Sequence, residues 1–217
     1  FLAGRTPATL DAVAEDIRKN GGLAETAVLD ALDEDAVNQW VDSVAALTGS
    51  IDISINLITQ EGVFKPLLDM PVDAFAKALE KCARSYLITN KAAARHMAKQ
   101  GSGVILHFGG SDSGNAMPGL GNVQIGFDMI EAMRRQWACE LAQHQVRVLT
   151  IKTAGIPETM GDMEQMEPVK QQMIDSTMLK RATTLDEVGR VAAFVASDHA
   201  RSMTSTQINI TAGALVD

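Results

Sequence analysis

The side chains able to do chemistry are few, and their spacing argues against most familiar reaction centres. Tyr86 is the only tyrosine. It falls in the middle of the long helical pattern over about 71–99. A serine nucleophile would need a glycine-x-serine-x-glycine elbow and a histidine base. Gly109-Gly110-Ser111-Asp112-Ser113 supplies only the first half, Gly114-Asn115-Ala116-Met117-Pro118 continues as loop, and His107 reads as a core residue of the strand leading in. Ser111, Asp112 and Ser113 are read as loop formers. The four histidines, His96, His107, His144 and His199, show no metal-ligand spacing, and Cys82 and Cys139 are far apart and form no Cys-x-x-Cys pair. Neither a metal site nor a disulfide framework is expected. Gly119-Leu120-Gly121 lacks a third glycine at the spacing of a phosphate-cradling turn. Spacing alone therefore names no catalytic residue.

The elements that must position any site are those of a core-building chain. Its 217 residues are 46% hydrophobic and 21% charged, without a Pro/Ser/Gly-rich linker, which suits one large domain spanning 1–217. Lys and Arg number 19 against 27 Asp and Glu, a net charge of −8. No broad basic surface exists to neutralise phosphates, so nucleic acid and anionic membrane are not expected partners. The longest apolar runs, such as Val104-Ile105-Leu106, are far short of the ~20 residues of a membrane helix, and no signal segment opens the chain. With two separated cysteines, a reducing cytoplasm is the expected compartment.

Strand and helix patterns alternate. Phe1 to Arg5 reads as the end of a buried strand, and Thr6-Pro7 as the cap and first turn of a helix over about 7–20, stopped by Asn20-Gly21-Gly22. Strands follow at Ala24 to Leu29, Ile51 to Ile55, Val104 to Phe108, Arg147 to Ile151 and Gln207 to Ile210. Helices are expected at about 33–48, 71–99, 120–142 and 184–196, the last opened by the capping-box residues Thr184 and Glu187. Such alternation gives a doubly wound α/β fold with a parallel sheet covered on both faces. Ligands of these sheets sit beyond the carboxyl ends of the strands, here Arg5, Asp30, Asn56, Gly109 to Ser113, and Thr153 to Thr159.

These strand-end residues, in this order, resemble the short-chain dehydrogenase/reductase family from Phe1 to Asp217. The likeness is carried by Ala3-Gly4-Arg5, Leu29-Asp30-Ala31 and Asp52-Ile53-Ser54-Ile55-Asn56, then by Ala92-Ala93-Ala94-Arg95-His96-Met97, Gly101-Ser102-Gly103-Val104-Ile105, Ala138-Cys139-Glu140-Leu141, Gly155-Ile156-Pro157-Glu158-Thr159 and Ala193-Phe194-Val195-Ala196-Ser197-Asp198. The resemblance implies an oxidoreductase on a Rossmann-type domain, using NAD or NADP and forming a homo-oligomer, a dimer or tetramer. It places Arg5 opposite an adenosine 2′-phosphate, which favours NADP(H), since a guanidinium fork suits a phosphate. It places Asp30 and Ala31 along the adenine, Asn56 beside the adenine ribose, and Gly155, Ile156 and Thr159 in the loop touching nicotinamide and phosphates. Asn56-Leu57-Ile58-Thr59 keeps one residue of the family's Asn-Asn-Ala-Gly, and Thr153-Ala154 replaces its Pro-Gly.

Two departures stand out. The family's first strand and glycine-rich turn are absent, and that strand lies centrally in the family's sheet. Each buried unpaired backbone group costs ~1–3 kcal/mol, so their sum would rival the ~5–15 kcal/mol stability of a domain. The sequence is therefore expected to be part of a longer chain. NADP(H) binding is expected for a form carrying that turn, and weak or no binding for these residues alone. Secondly, the family's tyrosine, lysine, serine and asparagine positions fall on Val123, Phe127, Gly110 and Cys82, so its general acid, worth ~10²–10⁴-fold, is missing. Two functions follow: an oxidoreductase with another proton route, acting on a small apolar carbonyl or alcohol, or a non-catalytic nucleotide-binding or structural partner. Met160 to Met178 holds five methionines in the stretch that forms the family's substrate lid, adaptable cover for an apolar pocket or simply core. Phe127, Ile130, Met133 and Trp137 follow helical spacing, as an interface or a core stripe.

Overall fold

Local punctuation sets the limits of the elements. The computed structural model describes residues 1–58, 62–110, 116–161 and 164–216, so Thr59, Ser111, Asp112, Ser113, Gly114, Asn115 and Asp162 lie outside the described residues. Strand β1 (Leu2–Gly4) leads to helix α1 (Pro7–Lys19), β2 (Thr26–Val28) to α2 (Glu34–Thr48), and β3 (Ile53–Asn56) to α3 (Val72–Gln100). Then β4 (Gly103–Gly109) precedes α4 (Asn122–Leu141), β5 (Val146–Lys152) precedes α5 (Glu167–Asp175) and α6 (Leu185–Ala196), and β6 (Gln207–Asn209) follows. Thr184 and Glu187 complete the expected capping box on α6. Asp33 caps α2 by accepting the Ala36 amide at 3.0 Å, and Gly49 and Gly101 end α2 and α3 in the left-handed conformation. One cap differs from expectation: Thr6 holds the cap position of α1 with extended backbone, but its hydroxyl makes no capping hydrogen bond, so Pro7 alone marks that start.

All strand pairs are parallel, in two groups, β1-β2 and β3-β4-β5-β6. Alternation along β4 and β5 divides the core. Ile105, Val146 and Val148 pack with Val44 of α2, Ala93 and Met97 of α3, and Ala138 and Leu141 of α4. On the opposite face Val104, Leu106, Leu149 and Ile151 pack with Val195 of α6. The stripe on α4 faces inward: Ile130 is wholly buried, Phe127 and Met133 pack around Cys82 and Tyr86, and Trp137 lies against the first core.

β1 and β3 face each other across a seam. A cleft of about 890 Å³ runs along it, lined by Leu2 and Ala3, by Ile53 and Ile55, and by Trp40 and Ala93 from the helices. Ile53 and Ile55 are each 48% exposed there, although both are strand residues of apolar type. The seam falls where the resemblance places the strand that these residues do not include.

Candidate functional site

The carboxyl end of the cleft is where the sequence-expected residues meet. Arg5 follows β1, Asp30 and Ala31 follow β2, and Asn56 ends β3; all four line the cleft. They converge because β1 and β2 run parallel in register, Gly4 opposite Val28, with the Leu29 amide donating to the Gly4 carbonyl at 3.0 Å. Asp30 folds its own turn by accepting the Leu32 amide at 3.0 Å. Asn56 is buried with its amide engaged at both ends: Nδ2 donates to Thr89 Oγ1 at 2.9 Å and Oδ1 accepts from the Ile58 amide at 2.9 Å. It therefore ties β3 to α3 and shapes the rim. The Arg5 side chain is exposed, and among the described residues no hydrogen bond or ion pair engages it.

Gly155, Ile156 and Thr159 lie after β5 and do not line the cleft. Ile156 is buried, and the Thr159 hydroxyl donates to the Ile156 carbonyl at 2.8 Å, closing a single turn. A Cβ on Gly155 would stand 2.6 Å from the Met173 sulfur, so α5 is seated directly on this loop. Met173 is the methionine of the Met160–Met178 stretch that makes this contact, while Met178 is largely exposed. Helix α5 itself was not expected from sequence, although Pro168 in its first turn and Val169 and Met173 at four-residue spacing are its signal.

Behind the rim, Cys82 and Tyr86 of α3 and Phe127 and Ile130 of α4 form a hydrophobic cluster. The Phe127 ring lies 3.6 Å from where a Cβ on Gly110 would stand. Tyr86 donates its hydroxyl to the Phe108 carbonyl at 3.0 Å, and burial pushes the phenol well above its ordinary pKa. Burial likewise lifts the Cys82 thiol to about 11. Neither group is set to give up a proton near neutral pH. His107, read as a core histidine, is 0% exposed, with its ring edge-on to Tyr86 at 5.0 Å and Nε2 2.8 Å from Asn90 Nδ2.

Comparison with known proteins fits this arrangement. The family profile described as "Enoyl-(Acyl carrier protein) reductase" matches residues 2–214. The chain belongs to the short-chain dehydrogenase/reductase family. Among curated relatives it is 26% identical over 206 residues to a 7alpha-hydroxysteroid dehydrogenase of Clostridium sardiniense, covering 91% of this chain and 76% of that protein. It is 25% identical over 176 residues to dehydrogenase/reductase SDR family member 4 of Bos taurus, covering 81% of this chain and 63% of that one. An NAD+-bound xylitol dehydrogenase superposes with a TM-score of 0.87 at 26% identity, over 97% of this chain and 87% of the other. An NADPH-dependent reductase of bacilysin biosynthesis shares the fold with a TM-score of 0.86 at 18% identity, over 100% of this chain and 88% of the other.

A segment around Val63 straps the start of α4. Gly121 stands at φ 53° and ψ −122°, a backbone region that side chains avoid, and a Cβ there would sit 2.5 Å from the Val63 carbonyl oxygen. Asn122 Oδ1 accepts the Val63 amide at 2.9 Å beside it. Gly121→Ala is accordingly expected to cost about 2 kcal/mol or more, read as a lowered urea midpoint with an unchanged slope. A midpoint within error of the parent would show that the strap yields freely.

Proposed function

We propose that this protein is an NADP(H)-linked oxidoreductase of the short-chain family that does not use the family's tyrosine–lysine proton route. The observation that carries the reading is the convergence of Arg5, Asp30, Ala31 and Asn56 at one mouth of the cleft, where no described residue engages the Arg5 guanidinium. A guanidinium fork there suits the 2′-phosphate that distinguishes NADP from NAD. The relatives' names point to the same cofactor class, one as bound NAD+ and one as NADPH dependence. Fit is partial at the pyrophosphate, because no glycine-rich turn at a helix start occurs in these residues, so the affinity of this chain for the whole dinucleotide is weak.

Proton handling is where the chain departs. Cys82, Gly110, Val123 and Phe127 hold the family's asparagine, serine, tyrosine and lysine positions, and the Phe127 ring packs on Gly110. A bound dinucleotide would supply hydride, and no residue in those four places can supply the proton. A small apolar carbonyl or alcohol is the substrate class, supported by the methionine-rich segment around α5. A second reading, a non-catalytic nucleotide-binding protein, is favoured by the same Phe127 and Val123.

The test is a titration of adenosine 2′,5′-bisphosphate against 5′-AMP, followed by NMR, with NADPH fluorescence alongside. The bisphosphate is expected to bind about 10-fold tighter, a difference near 1.4 kcal/mol, and Arg5→Ala to erase that preference while leaving the 5′-AMP affinity alone. Equal affinity for both nucleotides would remove the NADP(H) reading, and sub-micromolar NADPH binding would contradict the weak pyrophosphate site.

A further inference from the structure

Across the seam the two sheets turn open backbone toward each other. Along a strand, each residue offers its N–H and C=O to one side only, and the side alternates. On β1 the Leu2 amide donates to the Glu25 carbonyl at 2.8 Å and the Gly4 carbonyl accepts the Leu29 amide at 3.0 Å. Leu2 and Gly4 therefore face β2, and Ala3 between them turns its N–H and C=O to the seam. On β3 the Asp52 carbonyl accepts the Val104 amide at 2.9 Å. Ser54 and Asn56 keep that phase and face β4, so Ile53 and Ile55 direct their peptide groups into the seam. Among the described residues β1 pairs only with β2, and β3 only with β4. One cleft thus carries main-chain donors and acceptors on both of its long sides.

Its size fits one strand. A strand residue takes up about 3.3 Å of length, 4.8 Å of width and 10 Å of depth, roughly 160 Å³, so a cleft of about 890 Å³ has room for about five or six residues. The walls agree in length, with Phe1 to Arg5 on one side and Ile53 to Ile58 on the other. Leu10 and Val13 of α1, Val41 and Val44 of α2, and Ala78 and Ala93 of α3 complete them, and the charged lining residues are Arg5, Asp30 and Lys81. Apolar walls of this kind suit consecutive aliphatic residues, the pattern of a strand buried on both faces. A lipid tail or an apolar small molecule would fill the space and leave both rows of peptide groups unmade.

We propose that the seam binds one extended aliphatic strand of about five residues from a separate polypeptide, hydrogen-bonded to β1 and β3 at once. Main-chain hydrogen bonds on two edges supply recognition, and the two sheets become one. β-Branched residues, which favour extended backbone, suit the run itself. Basic flanks suit the chain's net charge of −8. The bound strand covers the half-exposed Ile53 and Ile55. The inference goes beyond the nucleotide reading and does not depend on it.

The test titrates the ¹⁵N-labelled 217-residue chain with a synthetic peptide, Val-Ile-Val-Ile-Val between paired lysines. The amides of Ala3, Ile53 and Ile55 are expected to shift on binding and to exchange with solvent at least 10-fold more slowly. Two further peptides carry N-methyl groups on the first, third and fifth residues of the run, or on the second and fourth. Each set blocks one edge, so each is expected to bind at least about 10-fold more weakly, the loss of one or two net hydrogen bonds. Ile55→Pro, which removes a seam-facing N–H and spares the β3-β4 ladder, is expected to weaken the parent peptide likewise. Should that variant misfold, the methylated peptides still decide. Loss with only one methylated set would put the peptide on a single sheet edge. Equal affinity for all three peptides would mean that side chains alone fill the cleft, and absence of binding would remove the partner altogether; each of these overturns the proposal. The adenosine 2′,5′-bisphosphate titration reads Arg5, so failure of either inference leaves the other standing.

Discussion

Arg134→Met is expected to destabilise the protein by about 3–5 kcal/mol, a large share of a typical domain's stability. Arg134 and Glu131 lie one turn apart on α4, 5% and 3% exposed, with Nε donating to Oε2 at 2.8 Å. Arg134 Nη1 also donates to Ser205 Oγ at 3.2 Å, tying α4 to the segment before β6. Removing the guanidinium leaves a buried carboxylate whose Oε1 already lacks a partner. The penalty is the stranded charge and not the loss of an attraction as such, which makes a second expectation sharper. In Glu131→Leu/Arg134→Met, both charges go and apolar volume replaces them, so stability should return to within about 1 kcal/mol of the parent. A double-mutant cycle by urea denaturation measures the coupling directly. Additive losses would mean that water already solvates the pair and that the site is wetter than its burial implies.

The framework of the fold is legible in the residues because its boundaries are chemically marked. Thr184 with Glu187, Pro7, Asp33, Gly49 and Gly101 each terminate or begin a helix by a local mechanism that needs no tertiary information. Helix α5 carries a weaker version of the same marks, and its apolar contacts go to a loop glycine instead of the sheet, so periodicity alone did not reveal it. The rim residues Arg5, Asp30 and Asn56 could be named because each follows a strand. That the amide of Asn56 is spent on Thr89 and Ile58 depends on α3 lying alongside, which no local pattern fixes. The lateral row of His107, Thr150 and Gln207 was hidden for a related reason. They are three single residues in three separate strands, and only parallel register brings them side by side. Along β5 alone, Val146, Val148, Thr150 and Lys152 lie on one period-2 side that turns from apolar to polar toward the carboxyl end.

Acidification should weaken the protein through His107, with a sign that follows from its surroundings. Asn90 Nδ2 donates to the ring Nε2, which places the neutral ring's proton on Nδ1, and a second proton would set two donors face to face. Burial, with the positive charge of Arg134 adding to it, lowers the pKa from 6.5 to about 4. Above pH 6.5 the imidazole is neutral in folded and unfolded chains alike, and the full stability is present. Between pH 6.5 and 4 the unfolded chain binds a proton that the folded one refuses, so stability falls, levelling off below pH 4. Integrated over that window, the loss is about 3 kcal/mol. Carboxylates elsewhere titrate in the lower part of the same range, so the assignment is made by difference. Urea midpoints at pH 7, 5.5 and 4.5 should decline more steeply in the parent than in His107→Gln, which offers Asn90 an uncharged partner. Parallel profiles would show that the imidazole is hydrated enough to ionise in place.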